Sequence, residues 1–181
     1  MVIEKTLPVL TGLTETERAV AIRAAFERNR RQMVLLLARQ LGVPEVDVVR
    51  AMPEELVEEL NFSQWEEIIR SFENLGDVHV IVSNGASTLE VVGQFGKFSN
   101  AQGFFNVQTK SLDMHIRSQA LAAVFAVRKP SHTDGKEALS FQFFDKDGQA
   151  AFKVFLTFGG KDPSAERWAQ YNEIIERFRV D

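Results

Sequence analysis

"ALSFQFFDKDGQAAFKVFLTF" runs from Ala138 to Phe158, and its reading decides the fold. Two strongly apolar runs flank Asp145-Lys146-Asp147-Gly148. Asp and Gly are the residues that tight turns use, so the stretch predicts a long β-hairpin. The same tetrapeptide resembles the start of a calcium loop, but the closing Glu of such a loop is missing. Turn chemistry accounts for these residues without a cation.

The pattern repeats on the N-terminal side. "ALAAVFAV" from Ala120 is apolar on both faces, which places it inside a sheet. "GFFNVQ" and "DMHIRS" read as two short strands before it. "DVHVIVSNGASTLEVVG" reads as two more, joined at Asn84-Gly85, a strong hairpin signal. About seven short strands result, between about Asp77 and Phe158. "GQFGKFSNAQG" at Gly93–Gly103 has glycines without phosphate-loop spacing and is expected to be a flexible connection.

The flanks are helical. "TETE" at Thr14–Glu17 is a capping box, followed by Ala19, Ile22 and Phe26 at helical spacing. Asn29–Gln32 bends or ends that helix, "MVLLLARQL" from Met33 forms a second, and "EVDVVRAM" a third after the Gly42–Pro44 turn. Ser63 and Glu66 form a second capping box ahead of "WEEIIRSFENL", which Gly76 closes. Asp162 and Pro163 are expected as N-cap and first residue of a last helix. Its Trp168, Tyr171, Ile175 and Phe178 make one face that covers the sheet. Helices, then strands, then a helix define an α+β fold: N-terminal helices, an antiparallel sheet and a C-terminal helix packed on it. Residues 1–181 are read as one domain, helical to about residue 76 and sheet plus helix from about 77.

Composition narrows the function. The chain is 45% hydrophobic and 25% charged, with net charge −4 and no Cys. No disulfide, thiolate metal site or Cys nucleophile is available. The N-terminus lacks a secretory pattern and no run reaches the roughly 18 apolar residues of a membrane span, so a cytoplasmic protein with no membrane insertion is expected. Residues 33–53 have the outline of a helix-turn-helix, but the second helix carries Glu45 and Asp47 against one base, Arg50. Phosphate would repel those carboxylates, so no DNA partner is expected. No nucleophile elbow, phosphate loop or paired-His spacing appears, and an enzyme is not expected.

Three His remain. His79 alternates with valines and reads as a polar residue on a partly solvated strand face; His132 reads as a loop residue. His115 lies between Asp113 and Arg117 on one face of its strand, with Met114 and Ile116 on the other. It is either a hydrogen-bonded surface His or an axial ligand to a metal in a cofactor. In the preceding strand Phe105 and Val107 share one face, and Phe104, Asn106 and Gln108 the other. Those two Phe are either sheet packing or the wall of a pocket for a flat apolar ligand.

"QLGVPEVDVVRAMPEELVEEL", "GDVHVIVSNGASTLEVVGQFGKFSNAQGFFNVQ", "DMHI", "ALAAVFAVRKP" and "FQFFDKDGQAAFKVFL" follow one another in an order and spacing that resembles the HutX/ChuX-type haem-utilisation proteins. The resemblance implies a cytosolic protein that binds haem after uptake and passes it on, and a homodimer arranged like the two halves of internally duplicated haem-handling relatives. It implies haem contacts at Phe104, Phe105, Asn106 and His115, while Arg117, Arg128 and Lys129 are either propionate partners or, the reading favoured, solvated charges. The family's motif is Gly-Tyr-Tyr/Phe-Asn, with its first Tyr an iron ligand. Here Gly103 and Asn106 match and Phe104 stands at the ligand position. Phe has no lone pair to give iron, so His115, which matches a His common in the family, either serves as the axial (metal) ligand instead or is structural. The alternative is a relative that has lost haem ligation and binds another apolar ligand or a protein.

Overall fold

The computed structural model describes residues 7–180. Three helices open the chain: α1 (Glu15–Arg28), α2 (Val34–Leu41) and α3 (Glu45–Arg50). A short strand β1 (Val57–Glu59) and α4 (Trp65–Ser71) precede the main β region. There follow β2 (Asp77–Ser83), β3 (Thr88–Gln94), β4 (Phe98–Ala101), β5 (Phe104–Gln108), β6 (Asp113–Ile116), β7 (Leu121–Pro130), β8 (Glu137–Asp145), β9 (Ala150–Thr157) and α5 (Ala165–Phe178). The α+β fold expected from the sequence is the fold observed.

The strands form two sheets, not one. A six-stranded antiparallel sheet has the order β1-β7-β8-β9-β2-β3, and β4-β5-β6 form a three-stranded sheet of their own. The zone read as purely helical contains β1, whose Val57 pairs with Val127 at the sheet edge. "GQFGKFSNAQG", expected to be a flexible connection, buries Phe95 completely and supplies β4. Phe95 packs edge-on against Phe72, and that apolar contact orders a segment whose glycines suggest freedom. β7 is paired on both sides as expected, but β8 and β9 hold the middle of the sheet.

The helix boundaries follow their caps. Thr14 and Glu17 form the reciprocal capping box of α1. The turn before α4 is capped by Asn61, whose Oδ1 accepts from Ser63 N at 3.1 Å, in place of the expected Ser63 box. Ser164, not Asp162, caps α5, accepting from Arg167 N at 3.2 Å. The Asp162 carboxylate is used elsewhere, accepting from Glu137 N at 3.3 Å and Lys136 Nζ at 3.2 Å. Strand-start hydrogen bonds thus draw it away from the helix.

β8 is the organising strand. Ala138, Ser140, Gln142 and Phe144 point to one side, Leu139, Phe141 and Phe143 to the other, and all are buried. On the first side α1–α3 bring Phe26, Leu37, Val48 and Met52 against Phe125, Val127 and Phe144. On the second, α4, α5 and the small sheet bring Ile69, Phe72, Ile174, Phe178, Phe105 and Val107 against Phe141, Phe143 and Val154. Four of the six residues of α3 are buried, so the helix-turn-helix outline is spent on packing. The β8–β9 turn locks α3 in place: Gly148 O accepts from Val46 N at 2.9 Å. Gly148 has φ +76°, and a Cβ there would lie 2.8 Å from Pro44 and Val46 side chains, so this close approach needs glycine.

Phe141 stacks on Phe72 at 5.2 Å and meets Tyr171 at 5.2 Å, tying α4 and α5 to the sheet. Phe141 is fully buried, so Phe141→Ala leaves a cavity and is expected to cost about 3–5 kcal/mol in a denaturant titration. A loss below about 1 kcal/mol would mean that the helices do not depend on this ring.

Candidate ligand site

The small sheet positions the residues that the sequence singled out. β4 and β5 are joined by Gln102 and Gly103, both at positive φ (53° and 81°), the backbone of a tight hairpin turn. Register then sets Asn106 opposite Ser99 on one side and His115 on the other. Phe105, Val107 and Ile116 point into the core, and Phe104, Asn106 and His115 point out. Phe105 is therefore a packing residue, edge-on to Trp65 at 5.4 Å and stacked on Phe98 at 5.5 Å.

The outward face has a defined polarity. Asn106 Nδ2 donates to Ser99 Oγ at 3.3 Å, which turns its Oδ1 toward His115. That oxygen lies 2.7 Å from His115 Nδ1. A carbonyl oxygen only accepts, so Nδ1 carries the proton and the neutral ring keeps its lone pair on Nε2. Asn106 is buried, while the His115 side chain is 56% exposed, with Nε2 3.6 Å from Asp113 Oδ1. A ring held at one nitrogen with the other turned outward is the arrangement of a metal-binding imidazole. Phe104 stands 6.2 Å from the imidazole and nearly edge-on, with the Arg117 guanidinium 5.6 Å from the Phe104 ring centre. Phe104, Asn106 and His115, together with Ala101 and Gln102, line a shallow depression. Arg128 does not join them. It lies 5.6 Å over Trp168 of α5, with its Nε buried and without a hydrogen-bond partner among the described residues.

A second cavity, of about 250 Å³, lies between α2 and the large sheet. Sequence reading missed it. Its lining includes Val34, Leu35, Phe155 and Phe158, with Lys129, Lys153, Glu45, Gln142 and His132 as polar groups. Lys153 pairs with Glu45, which is buried. Gln142 Nε2 donates to Ser140 Oγ at 3.0 Å, and its Oε1 is buried with no partner among the described residues. Burial, helped by repulsion from Lys153, pushes the Lys129 ammonium down to about 8. The one signal in the sequence was the polar pair Ser140 and Gln142 on one side of an otherwise apolar strand.

An antiparallel α+β scaffold with an outward imidazole, a half-buried aromatic beside it and a separate cavity has the features of a small-ligand-binding protein. Comparison with known proteins makes the class specific. Residues 59–173 match the family model described as haem utilisation ChuX/HutX, and the chain belongs to that family. It is similar to the intracellular heme transport protein HutX of Vibrio cholerae serotype O1, at 30% identity over 175 residues, covering 94% of this chain and 86% of that protein. The crystal structure of ChuX shares the fold with a TM-score of 0.76 at 18% identity, over 86% of this chain and 96% of the other. The heme-degrading enzyme ChuS of Escherichia coli O157:H7 shares it with a TM-score of 0.75 at 21% identity, over 90% of this chain and only 48% of its own. Among the described residues no helix is long and apolar enough to cross a membrane.

The Lys129 shift carries a stability consequence. The unfolded chain keeps this proton to about pH 10.4, while the folded chain releases it near 8. Between those values the unfolded state binds more protons, so folding stability rises with pH. Lys129→Met is expected to remove that rise and to stabilise the protein at pH 7, by on the order of 1–3 kcal/mol after allowance for solvent. Urea titrations of both proteins at pH 7 and pH 10 measure it, and equal pH dependence in the two would contradict it.

Proposed function

We propose that the protein is an intracellular haem carrier whose haem rests on the outward face of β5 and β6, with iron bound by His115 Nε2. The observation that carries this is the 2.7 Å contact from Asn106 Oδ1 to His115 Nδ1, which fixes the ring and its tautomer. Family membership supplies the ligand class, and the HutX relative of Vibrio cholerae supplies the transport role. Phe104 occupies the place of the family's ligating Tyr and offers the porphyrin an apolar edge rather than an oxygen. Arg117, exposed beside Phe104, is the partner for a propionate, a charge-assisted bond of the kind that orients carboxylates. A single axial imidazole is sufficient to hold haem iron. The role proposed is binding and transfer, not turnover.

The face is open on one side, and a homodimer closes it. The support is the length relation to ChuS, whose chain is about twice the part that this fold spans. Two copies of a half-length chain then reproduce the arrangement of one double-length chain.

A ferric haem titration of the purified protein, followed at the Soret band and by size-exclusion chromatography, tests both statements. Wild type is expected to give a saturable spectrum with haem bound to a dimer. His115→Ala is expected to weaken binding tenfold or more, and Phe104→Tyr to shift the spectrum toward tyrosinate ligation. Binding indifferent to His115 would end this reading. No wild-type spectrum, with one gained by Phe104→Tyr, would establish the reading favoured by the absent Tyr, a scaffold that has lost haem ligation.

A further inference from the structure

The cavity under α2 is built in a way that packing does not require. Lys129 is mostly buried, and among the described residues its Nζ has one hydrogen-bond partner, the carbonyl of its own neighbour Pro130, at 2.8 Å. No carboxylate pairs with it, because Glu45 is held by Lys153 and Glu90 by His79. A buried cation without an acid is costly, and an apolar side chain of the same length would spare the cost. At the floor of the same cavity Gln142 is 2% exposed and keeps its Oε1 without a donor. Buried polar atoms are nearly always partnered, so an unpartnered one aimed into a cavity marks a place for a ligand's N–H or O–H. Between these polar ends lie the rings of Phe155 and Phe158, 4.8 Å apart and steeply inclined. They make an aromatic wall opposite the apolar Val34 and Leu35 of α2.

We infer that this cavity is a second binding site, separate from the haem face, for a small flat aromatic carboxylate that also carries one hydrogen-bond donor. The carboxylate pairs with Lys129, the donor meets Gln142 Oε1, and the ring lies against Phe155 and Phe158. The volume argues for a small occupant: about 250 Å³ is below the roughly 300–1,000 Å³ of pockets that enclose drug-sized ligands. Two exposed side-chain contacts bridge from the helical layer toward the sheet, Arg39 to Gly85 O at 3.1 Å and Arg31 to Thr133 O at 3.2 Å. The inference does not depend on haem binding at His115.

Three probes separate the contributions in calorimetric titrations of the full chain. Indole-3-acetate has both the acid and the donor, naphthalene-1-acetate lacks the N–H, and indole-3-acetamide lacks the charge. Indole-3-acetate is expected to bind saturably at one site per chain, and each of the others at least tenfold more weakly. In Lys129→Met the acetate is expected to lose its advantage over the acetamide. In Gln142→Leu indole is expected to lose its advantage over naphthalene. Because the comparison among probes is first made on the unaltered chain, a variant that folds poorly does not decide the matter. Equal affinity for all three, or no binding of any, overturns the inference. A haem Soret titration left unchanged by saturating indole-3-acetate supports two separate sites, and competition between them overturns the separation whatever the fate of His115.

Discussion

The burial of β8 on both faces is the constraint from which the rest of the structure follows. A strand with Phe141 and Phe143 on one side and Phe144 on the other cannot face water on either. It must be covered twice, and the chain supplies one cover from each end: α1–α3 on one face, α4, α5 and the small sheet on the other. The two apolar clusters meet only through the sheet. Chain order and layer order therefore differ, and the N-terminal helices become the roof of a cavity whose walls come from residues a hundred positions later.

The same constraint places the two sites on opposite terms with the core. The small sheet exists because Phe105, Val107 and Ile116 need a buried face, and α4 with the edge of the second cluster provides it. Its other face is left to carry polar residues at fixed spacing, with Ser99, Asn106 and His115 in one row across three strands. A ladder of this kind is rigid, because each side chain is oriented by the one before it and the backbone register fixes them all. Binding groups set on strands are better placed than the same groups on loops. If His115 binds iron as proposed, an outward imidazole with its tautomer settled in advance would spend little entropy in doing so.

The cavity under α2 shows the opposite economy. Its polar groups are held inside at a cost to folding, with Lys129 depressed by burial and Gln142 lacking a donor. Where a stable protein has an apolar choice and carries a buried unpaired cation instead, the charge points to binding. The pair formed by Lys153 and Glu45 has another effect. It satisfies one cation and one anion across the α3–β9 junction, so that among the described residues Lys129 lines the cavity with no acid paired to it. Apolar packing thus supplies the stability, and the electrostatics supply selectivity.

Much of this was legible in the residues themselves. The Asp145–Gly148 turn, the alternation of Phe104 to Gln108, the capping box at Thr14 and the Gly76 stop are local signals, each set by backbone sterics or by a hydrogen bond within a few residues. They gave the α+β class, most of the strands, and the outward face on which Asn106 and His115 stand. What failed were local choices with a distant competitor. Asp162 is a good cap but is taken by Glu137 N and Lys136, and Ser63 yields to Asn61. A glycine-rich connection is ordered by the burial of Phe95. Arg128 was grouped with Arg117, yet strand pairing sends it to Trp168. The sequence by itself determined most of the strands, though not β1 or β4, and which faces are apolar, because alternation and turn chemistry act over a few residues. Only the tertiary structure decided that β4–β6 leave the main sheet, that Asn106 holds His115, and that Lys129 is partly buried with no acid paired to it among the described residues. Those outcomes depend on which distant segments meet, and no local pattern records that.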